Sequence, residues 1–447
     1  MIFKSLVRRI VPESLIGTYH YLLARLAAAW FGHPSEKLIV IGVTGTNGKS
    51  TTVQFIGRLL EHAGHRVGWT TTVSLKIADR EWANDQKMTM LGRFQTQRLL
   101  RKMVDAGCTH AIIETSSQGI LQSRHVGINY DVAVFTNLTP EHIEAHGGFE
   151  QYKAAKSRLF ANLAKSRRKT IAGVEVEKVI VVNLVDPHAE YFLSFKADRH
   201  GGFAIEDVGE AAVRLNTMPV IAKSVAYESG CTTFNLGNES MHLEPIGRFY
   251  LENALAAIAV VKQLGVEGEV LKHGVEALRA VPGRLEKIDE GQSFTVIVDY
   301  APEPASLAAL YETLHLIPHK RIIHVLGSTG GGRDVARRMV LGRMAAEHDD
   351  VVIVTNEDPY DDDPMLIINH VADAVEDAGK QAGVTLLRIL DRQAAIDKAV
   401  TLAQDSDIVL ITGKGSEPVM AVARGKKVQW DDRVAARDSL HKRYGRT

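Results

Sequence analysis

Cysteine is scarce in this chain, with only Cys108 and Cys231 among 447 residues. Two thiols are too few for a four-thiolate zinc site or a disulfide framework, and buried packing is the usual role of isolated cysteines. An excess of one charge is also lacking, since 53 Lys and Arg balance 53 Asp and Glu. No overall field therefore favours nucleic acid or anionic lipid, and an anionic ligand must be bound by local groups.

Long apolar runs are lacking as well. The stretch 15–31 is interrupted by His20 and Arg25, and no small-residue cleavage signal follows it, so it predicts neither a membrane span nor a secretory signal. We therefore expect a cytoplasmic protein. Residues 1–35 predict a short helical leader, broken near Pro12, that docks on the protein's own body. Peripheral contact with a membrane surface is the alternative use of this leader.

The chain has ordinary globular composition, with 45% apolar and 24% charged residues, and a length that suggests about three domains. From residue 38 onward short apolar runs alternate with helical stretches, which is typical of a buried, mainly parallel sheet, and a second such series begins after residue 282. We predict an α/β fold with a helical leader (1–35), a central domain with a mainly parallel sheet (36–281) and a C-terminal Rossmann-like α/β domain (282–447). Predicted strands cover 38–43, 111–114, 132–136 and 179–183 in the first series, and 294–299, 321–326, 351–355 and 408–412 in the second. Two short strands, 222–226 and 232–236, are predicted in a less regular flank of the first series.

The segment 39–52, IVIGVTGTNGKSTT, has the pattern of a buried strand, a glycine-rich turn and the start of a helix. Glycines let the backbone approach phosphate oxygens, and a helix N-terminus carries partial positive charge. Lys49 adds a full charge, and the Ser50 hydroxyl is a suitable magnesium ligand. The general phosphate-loop spacing requires glycine at position 43, where valine stands. The segment nevertheless predicts that the central domain is a P-loop domain.

The loop sequence GTNGKST at 45–51 resembles the ATP loop of the Mur ligases, the amide-bond synthetases of peptidoglycan, and further motifs follow in that family's order. The resemblance is closest to the MurE type, which adds an amino acid to a UDP-N-acetylmuramoyl dipeptide, and it covers about residues 34–429. The other motifs are ETSSQG at 114–119, FTNLTPEH at 135–142, YKAAKSRLF at 152–160, PGRLE at 282–286, VDYA at 298–301 and GKGSE at 413–417.

This resemblance implies an ADP-forming ligase in which ATP activates a carboxylate as an acyl phosphate and an amine then attacks it. It implies ATP and two Mg²⁺ ions as cofactors, with Lys49, Glu114, His142 and Lys156 as catalytic residues and Ser50, Glu114, His142 and Lys156 as metal ligands. The resemblance also implies that Lys156 is carbamylated by carbon dioxide. An ammonium has no lone pair to offer a metal, whereas a carbamate has oxygens suited to magnesium. The implied nucleotide contacts are Gly45, Thr46, Asn47, Gly48, Lys49, Ser50, Thr51, Asn137, Asn253, Arg284 and Asp299, drawn from both predicted domains.

The resemblance also implies small-molecule partners and no nucleic acid. The acceptor is expected to be a UDP-muramoyl peptide or a related peptide carboxylate. Tyr360 stands where diaminopimelate-selecting enzymes have arginine, so the acidic groups nearby favour a diamino acid such as lysine or ornithine. The expected acceptor contacts are Thr71, Thr72, Ser117, Gln122 and Arg124, and the expected amino-acid contacts are Arg333, Glu357, Asp358 and Glu417.

The sequence departs from the MurE pattern at several positions. The phosphate-loop strand starts near residue 38, so we expect the leader or a partner to replace the usual UDP-binding domain, or the acceptor to differ. Pro302 and Ser416 stand where the family has histidines. Two alternatives therefore remain, a folylpolyglutamate-type or other polyamide ligase, and an ATP-gated binding or scaffold protein without ligation.

Overall fold

The computed structural model describes residues 13–86, 88–140, 146–206, 217–228, 230–332 and 335–445. The contacts among these residues separate two compact units. The length alone had suggested about three domains. The first unit runs to residue 226 and includes 231–244 and 249–278. The second contains 227–230, 245–248 and the described residues from 279 onward.

Helices and strands alternate along both units. Up to residue 278 the elements are α1 (Glu13–Trp30), a 3₁₀ turn (Pro34–Lys37), β1 (Ile39–Thr44), α2 (Lys49–His62), β2 (Val67–Thr70), β3 (Ser74–Ile77), β4 (Arg80–Ala83), α3 (Arg93–Asp105), β5 (His110–Glu114), α4 (Ser117–Leu121), β6 (Val132–Phe135), α5 (Phe149–Lys165), β7 (Lys169–Ile171), β8 (Val174–Val176), β9 (Val179–Asn183), α6 (Ala189–Leu193), β10 (Arg199–Ile205), β11 (Met218–Glu228), β12 (Cys231–Leu236), β13 (Glu239–Leu243), α7 (Arg248–Gln263) and α8 (Gly268–Glu276). Beyond it they are β14 (Glu286–Ile288), β15 (Thr295–Asp299), α9 (Pro304–Leu314), β16 (Ile322–Leu326), α10 (Ala336–His348), β17 (Val351–Thr355), α11 (Pro364–Asp377), β18 (Leu386–Ile389), α12 (Arg392–Leu402), β19 (Ile408–Thr412), β20 (Val419–Val422), a second 3₁₀ turn (Ala423–Gly425), β21 (Lys426–Gln429) and α13 (Asp432–Tyr444).

An eleven-stranded sheet forms the frame of the first unit, in the order β13-β12-β11-β10-β9-β6-β1-β5-β2-β3-β4. Strand β1 lies inside it, parallel to β5 on one side and to β6 on the other. Val40, Ile41 and Val43 of β1 are fully buried, because helices cover both faces of a parallel sheet. The carboxyl ends of β1, β5 and β6 therefore meet at one edge of the sheet, where ligand sites of such folds lie.

The second unit is built on a six-stranded sheet with the order β14-β15-β19-β16-β17-β18. Its strands are parallel except for β14, which pairs antiparallel with β15. Strands β16 and β19 lie inside the sheet and are buried along their whole length. The α/β class predicted for both parts of the chain is confirmed. Nine of the ten predicted strands end within one residue of the strands in the structure, whereas the strand predicted at 222–226 extends over Met218–Glu228.

The leader helix α1 lies against the body of the first unit through small side chains. Ala24, Ala27 and Ala28 are buried, and a Cβ added at Gly127 would lie 2.8 Å from the Ala28 Cβ. The larger apolar residues of the helix point outward, and Trp30 is 75% exposed. The predicted docking on the protein's own body is thus found, although alanines rather than the large apolar residues make the contact. The predicted break at Pro12 lies outside the described residues.

No helix among the described residues combines the length and the apolar character that crossing a bilayer requires.

Candidate nucleotide and acceptor site

The phosphate loop joins the end of β1 to the start of α2. Gly48 caps α2 with a φ of 80°, and Gly45 has a φ of 156°. A Cβ at Gly45 would lie 1.9 Å from the Thr136 Oγ1, and one at Gly48 would lie 2.1 Å from the Asn253 Oδ1. A residue with a side chain at either position would therefore displace Thr136 or Asn253. The first N–H groups of α2 have no partners within the helix and carry its positive dipole end, which suits a phosphate.

The segment after β6 holds the loop in place. The Asn47 N–H donates to the Asn137 Oδ1 at 2.8 Å, and the Thr46 N–H donates to the Asn137 carbonyl oxygen at 2.9 Å. The Thr136 hydroxyl donates to the Asn47 carbonyl oxygen at 2.7 Å. Asn137 was predicted to contact the nucleotide, and in the structure its amide oxygen and backbone fix the conformation of the loop that such a contact needs.

Lys49, Ser50 and Glu114 converge at the start of α2. The Ser50 hydroxyl donates to the Glu114 Oε2 at 2.7 Å, and the backbone N–H of Thr72 donates to the same oxygen at 2.7 Å. Glu114 ends β5 directly beside Val43 of β1, which places its carboxylate at the loop. The Lys49 ammonium donates to the Thr46 carbonyl oxygen at 2.6 Å and so lies over the same loop.

A hydroxyl and a carboxylate in contact suit one Mg²⁺ ion, which commonly binds to one or two carboxylates and completes its coordination with water and substrate phosphates. Ser50 and Glu114 fit this description. The described residues contain no group of three or more His, Cys, Asp or Glu side chains arranged for a metal. Two protein ligands leave the remaining positions around a Mg²⁺ ion to water and to phosphate oxygens.

Lys156 lies on α5 beneath the loop and is 1% exposed. Its ammonium donates to the Gly45 carbonyl oxygen at 2.5 Å and lies 4.3 Å from the centre of the Tyr152 ring. The Tyr152 hydroxyl is 3.2 Å from the Thr46 hydroxyl, so α5 supports the loop through two side chains. His142, the other residue expected at the second metal ion, lies outside the described residues.

Of the predicted acceptor contacts, Thr72 lies beside Glu114. The Thr72 hydroxyl is 3.2 Å from the Glu114 Oε1 and 3.0 Å from the Thr89 hydroxyl, and the Ser117 hydroxyl is 3.1 Å from the His146 Nε2. Thr71 is fully buried, and its hydroxyl donates to the Ser74 carbonyl oxygen at 2.9 Å, so it shapes the turn after β2. Arg124 donates to the Gln122 Oε1 at 2.7 Å, which joins the last two predicted residues.

In the second unit Asp299 and Arg284 occupy neighbouring segments. The two Asp299 carboxylate oxygens accept from the backbone N–H groups of Leu285 at 2.6 Å and Ala301 at 2.7 Å. Burial raises the pKa of Asp299, while the Arg284 charge and the two backbone donors act in the opposite direction. The Arg284 guanidinium lies 4.4 Å from the centre of the Tyr300 ring. Asp299 therefore fixes the backbone at Leu285 and Ala301. Its contact with the ribose stays a prediction.

The three acidic residues predicted to bind the amino acid, Glu357, Asp358 and Glu417, also lie in the second unit. Two of them contact Lys414, a buried lysine that was not predicted as a site residue. The Lys414 ammonium lies 3.0 Å from both Asp358 oxygens and 2.5 Å from the Glu417 Oε2. Glu357 is 3% exposed and receives no hydrogen bond or ion pair from the described part of the chain. Burial raises the pKa of Glu357. Arg333 lies outside the described residues.

The sequence offered one signal for Lys414, a lysine between two glycines directly after a fully buried strand. A family model for the Mur ligase middle domain matches residues 43–261, and a model for the Mur ligase glutamate ligase domain matches residues 283–415. The chain belongs to the Mur ligase family. Mur ligases are ATP-dependent enzymes that form amide bonds, so the resemblance found in the motifs is confirmed.

Individual relatives agree with the family models. A UDP-N-acetylmuramyl-tripeptide synthetase of Roseiflexus sp. (strain RS-1) is 37% identical over 96% of this chain and 84% of its own length. A UDP-N-acetylmuramoyl-L-alanyl-D-glutamate–2,6-diaminopimelate ligase of Geobacillus kaustophilus (strain HTA426) is 34% identical over 97% of this chain and 85% of its own length. These two relatives are peptide ligases of peptidoglycan synthesis.

Solved structures show the same fold. A structure of a UDP-N-acetylmuramoyl-L-alanyl-D-glutamate–2,6-diaminopimelate ligase aligns with a TM-score of 0.59 and 29% identity over 91% of this chain and 79% of that chain. The folylpolyglutamate synthase of Mycobacterium tuberculosis aligns with a TM-score of 0.63 and covers 94% of both chains. At 19% identity the second likeness shows the shared Mur ligase fold alone.

Proposed function

We propose that the chain joins an amino acid to the terminal carboxylate of a muramoyl peptide, with ATP converted to ADP and phosphate. The observation that carries this proposal is the contact between Ser50 and Glu114 at the first turn of α2, with Lys49 over the same loop. Simple nucleotide binding does not require a buried carboxylate that also receives the Thr72 backbone N–H beside the predicted acceptor contacts. The named relatives support the same acceptor class.

The proposed reaction has two steps. An acceptor carboxylate oxygen attacks the γ-phosphorus, the bond to the β–γ bridging oxygen breaks, and ADP leaves. The neutral amine of the amino acid then attacks the acyl carbon, phosphate leaves with the C–O bond electrons, and the nitrogen loses one proton to solvent. Lys49 and the N-terminus of α2 would stabilise charge on the transferred phosphoryl group, since this chemistry depends on positioning and electrostatics.

Mg²⁺ would neutralise phosphate charge at this site, with Ser50 and Glu114 as its protein ligands. We further propose that Lys156 is carbamylated and, with His142, serves a second ion. The position of Lys156 supports this, because its nitrogen reaches the backbone of the phosphate loop from a fully enclosed position on α5. Carbamylation adds carbon dioxide to the neutral amine with loss of one proton and replaces a cation by an anion.

For the incoming amino acid we propose a diamino acid such as lysine or ornithine. Asp358 and Glu417 each bind Lys414, which leaves Glu357 as the carboxylate suited to a second ammonium group. Burial raises the pKa of Glu357, and an ammonium group beside it would favour the ionised carboxylate in an ion pair that water does not screen. Tyr360 cannot replace the ionic contact that an arginine would make with a substrate carboxylate. Preference for diaminopimelate over lysine and ornithine in an amino-acid panel would contradict this assignment.

The decisive experiment incubates the chain with ATP, Mg²⁺, UDP-N-acetylmuramoyl-L-alanyl-D-glutamate and single amino acids, with product masses measured by mass spectrometry. We expect a product heavier by one amino-acid residue, and phosphate release that requires both acceptor and amino acid. Lys49→Ala should abolish both signals, whereas Lys102→Ala on the exposed side of α3 should leave them unchanged. ATP binding without an adduct under these conditions would favour the scaffold alternative. We also propose that the boundary between the central domain and the C-terminal domain lies at residue 281. A cytoplasmic location is proposed as well.

A further inference from the structure

The leader helix α1 has a second apolar face, opposite to the alanines that contact the first unit. Four large apolar side chains follow one another along this face at steps of three or four residues, namely Tyr19, Leu22, Leu26 and Trp30, and each is more than half exposed. Such steps return to the same side of a helix, so the four side chains form one outward stripe. Single exposed apolar residues are ordinary on a protein surface, whereas a continuous row indicates a binding surface.

The apolar surface continues onto the neighbouring helix. Helix α3 packs against α1, and the ring of Phe94 in its first turn meets the Phe31 ring edge-on, with the ring centres 6.5 Å apart. Phe94 is itself exposed, and so is Arg98, one turn farther along α3. The surface beside the outward stripe therefore combines an aromatic ring with a cation.

The charges of the leader are almost all positive, although the chain as a whole is neutral. Residues 1–33 contain a single acidic residue, Glu13, and four basic ones, Lys4, Arg8, Arg9 and Arg25. Three of the four basic residues precede α1 in the sequence and lie outside the described residues. Arg25 is exposed and lies next to the outward stripe, three residues after Leu22. A local excess of positive charge thus accompanies the stripe.

This combination has the chemistry that binds the surface of an anionic lipid bilayer. Aliphatic side chains enter the boundary between headgroups and acyl chains, aromatic rings favour the level of the headgroups, and basic side chains attract anionic lipids. A second copy of the chain is a poorer partner. A symmetric contact through the stripe would bring the same basic residues of both copies together, and their like charges would repel each other.

We propose that the outward stripe of α1 lies on the surface of an anionic lipid bilayer and holds the chain there as a peripheral protein. In this arrangement α1 lies in the plane of the interface. Its alanine face stays on the first unit, and its outward stripe enters the headgroup region. The inference does not depend on the proposed ligase reaction, and its test requires neither ATP nor an acceptor.

The test measures how the full chain sediments with lipid vesicles. One set of vesicles contains phosphatidylcholine alone, and the other contains phosphatidylcholine mixed with phosphatidylglycerol. The proteins are the wild type, the double variant Leu22→Gln with Trp30→Gln, the charge variant Arg25→Glu and the control Val174→Gln. Val174 is a matched control because it is an exposed apolar residue of similar exposure, far along the chain in β8. Thermal unfolding of each protein is measured in parallel.

We expect the wild type to bind the anionic vesicles, with partitioning at least about tenfold weaker on phosphatidylcholine alone or at high salt. The double variant should bind at least about tenfold more weakly because it loses two large apolar side chains, with an unchanged melting temperature because both are exposed. Arg25→Glu should weaken binding about threefold or more. Val174→Gln should match the wild type.

The fluorescence of Trp30 gives a second measurement at a stated position. Anionic vesicles should shift the tryptophan emission of the wild type to shorter wavelengths, and Trp30→Phe should abolish this shift. The shift requires no change of stability, so it decides the question even if the double variant melts at a lower temperature.

Several results would overturn the inference. Failure of the wild type to sediment with anionic vesicles would show that the stripe does not bind them. Wild-type binding by the double variant, or an emission shift that persists in Trp30→Phe, would place the lipid contact elsewhere. A dimer in solution that the double variant converts to a monomer, without any binding to vesicles, would assign the stripe to a second copy of the chain.

Discussion

Asp131 should be among the most sensitive positions for stability in the first unit. Its side chain is fully buried just before β6, and one carboxylate oxygen accepts from the Lys169 ammonium at 2.5 Å and the Val40 N–H at 2.8 Å. The other oxygen accepts from the Lys178 ammonium at 3.0 Å. One carboxylate thus compensates two buried cations and ties β1 to the strand beside it.

We expect Asp131→Asn to lower the free energy of unfolding by about 3–5 kcal/mol, the usual cost of leaving a buried ion without its partner. A domain is stable by only about 5–15 kcal/mol, so the change removes a large part of the total. Urea unfolding at pH 7 measures the change, and the buried Trp69 in β2 reports on this unit through its fluorescence. Adding Lys169→Met removes one uncompensated charge and should restore about 1 kcal/mol or more.

A matched control separates burial from charge pairing. Asp79 forms an ion pair with Arg66 at 2.6 Å, but its side chain is 90% exposed. Asp79→Asn should leave the unfolding midpoint unchanged within error, because solvent screens exposed pairs. The reasoning would be refuted if Asp131→Asn were as harmless as this control, or if Lys169→Met worsened the loss instead of relieving it.

Three further predictions concern the site and its pH dependence. Glu114→Gln should raise the Mg²⁺ concentration for half-maximal activity by about 10–100-fold, and a magnesium titration that matches the wild type would contradict its role as a ligand. Lys156→Ala should nearly abolish turnover, and a short carboxylic acid should restore part of it; full activity in this variant would remove Lys156 from the mechanism. Burial, with a smaller effect of the Arg158 charge, lowers the pKa of His125 from 6.5 to about 4. The unfolded chain therefore binds the proton more readily, and stability is lost as pH falls from 6.5 to 4, by up to about 3 kcal/mol. His125→Gln should flatten this part of the stability profile in urea unfolding measured at several pH values.

The strand pattern and the phosphate loop could be predicted from local sequence. Strands such as β9 (Val179–Asn183) and β19 (Ile408–Thr412) are buried on both faces and therefore appear as short apolar runs. The loop could also be predicted, because Gly45 and Gly48 occupy backbone conformations that glycine favours and lie against neighbouring side chains. The family motifs also predicted that Glu114 and Lys156 belong to this site. Both lie far along the chain from the loop, and the structure brings Glu114 to Ser50 and Lys156 to the Gly45 carbonyl oxygen.

Only tertiary structure decided which charged groups have partners. Nothing in the local sequence showed that Lys414 binds Asp358 and Glu417, or that α1 contacts its own unit through alanines. The contacts of Arg93 and Arg124 with Gln122 likewise depend on two segments that meet in the fold. Apolar periodicity and glycine conformations are properties of neighbouring residues, so a sequence displays them directly. The electrostatic state of a buried charge depends on groups brought near it by folding, and sequence spacing does not reveal that distance.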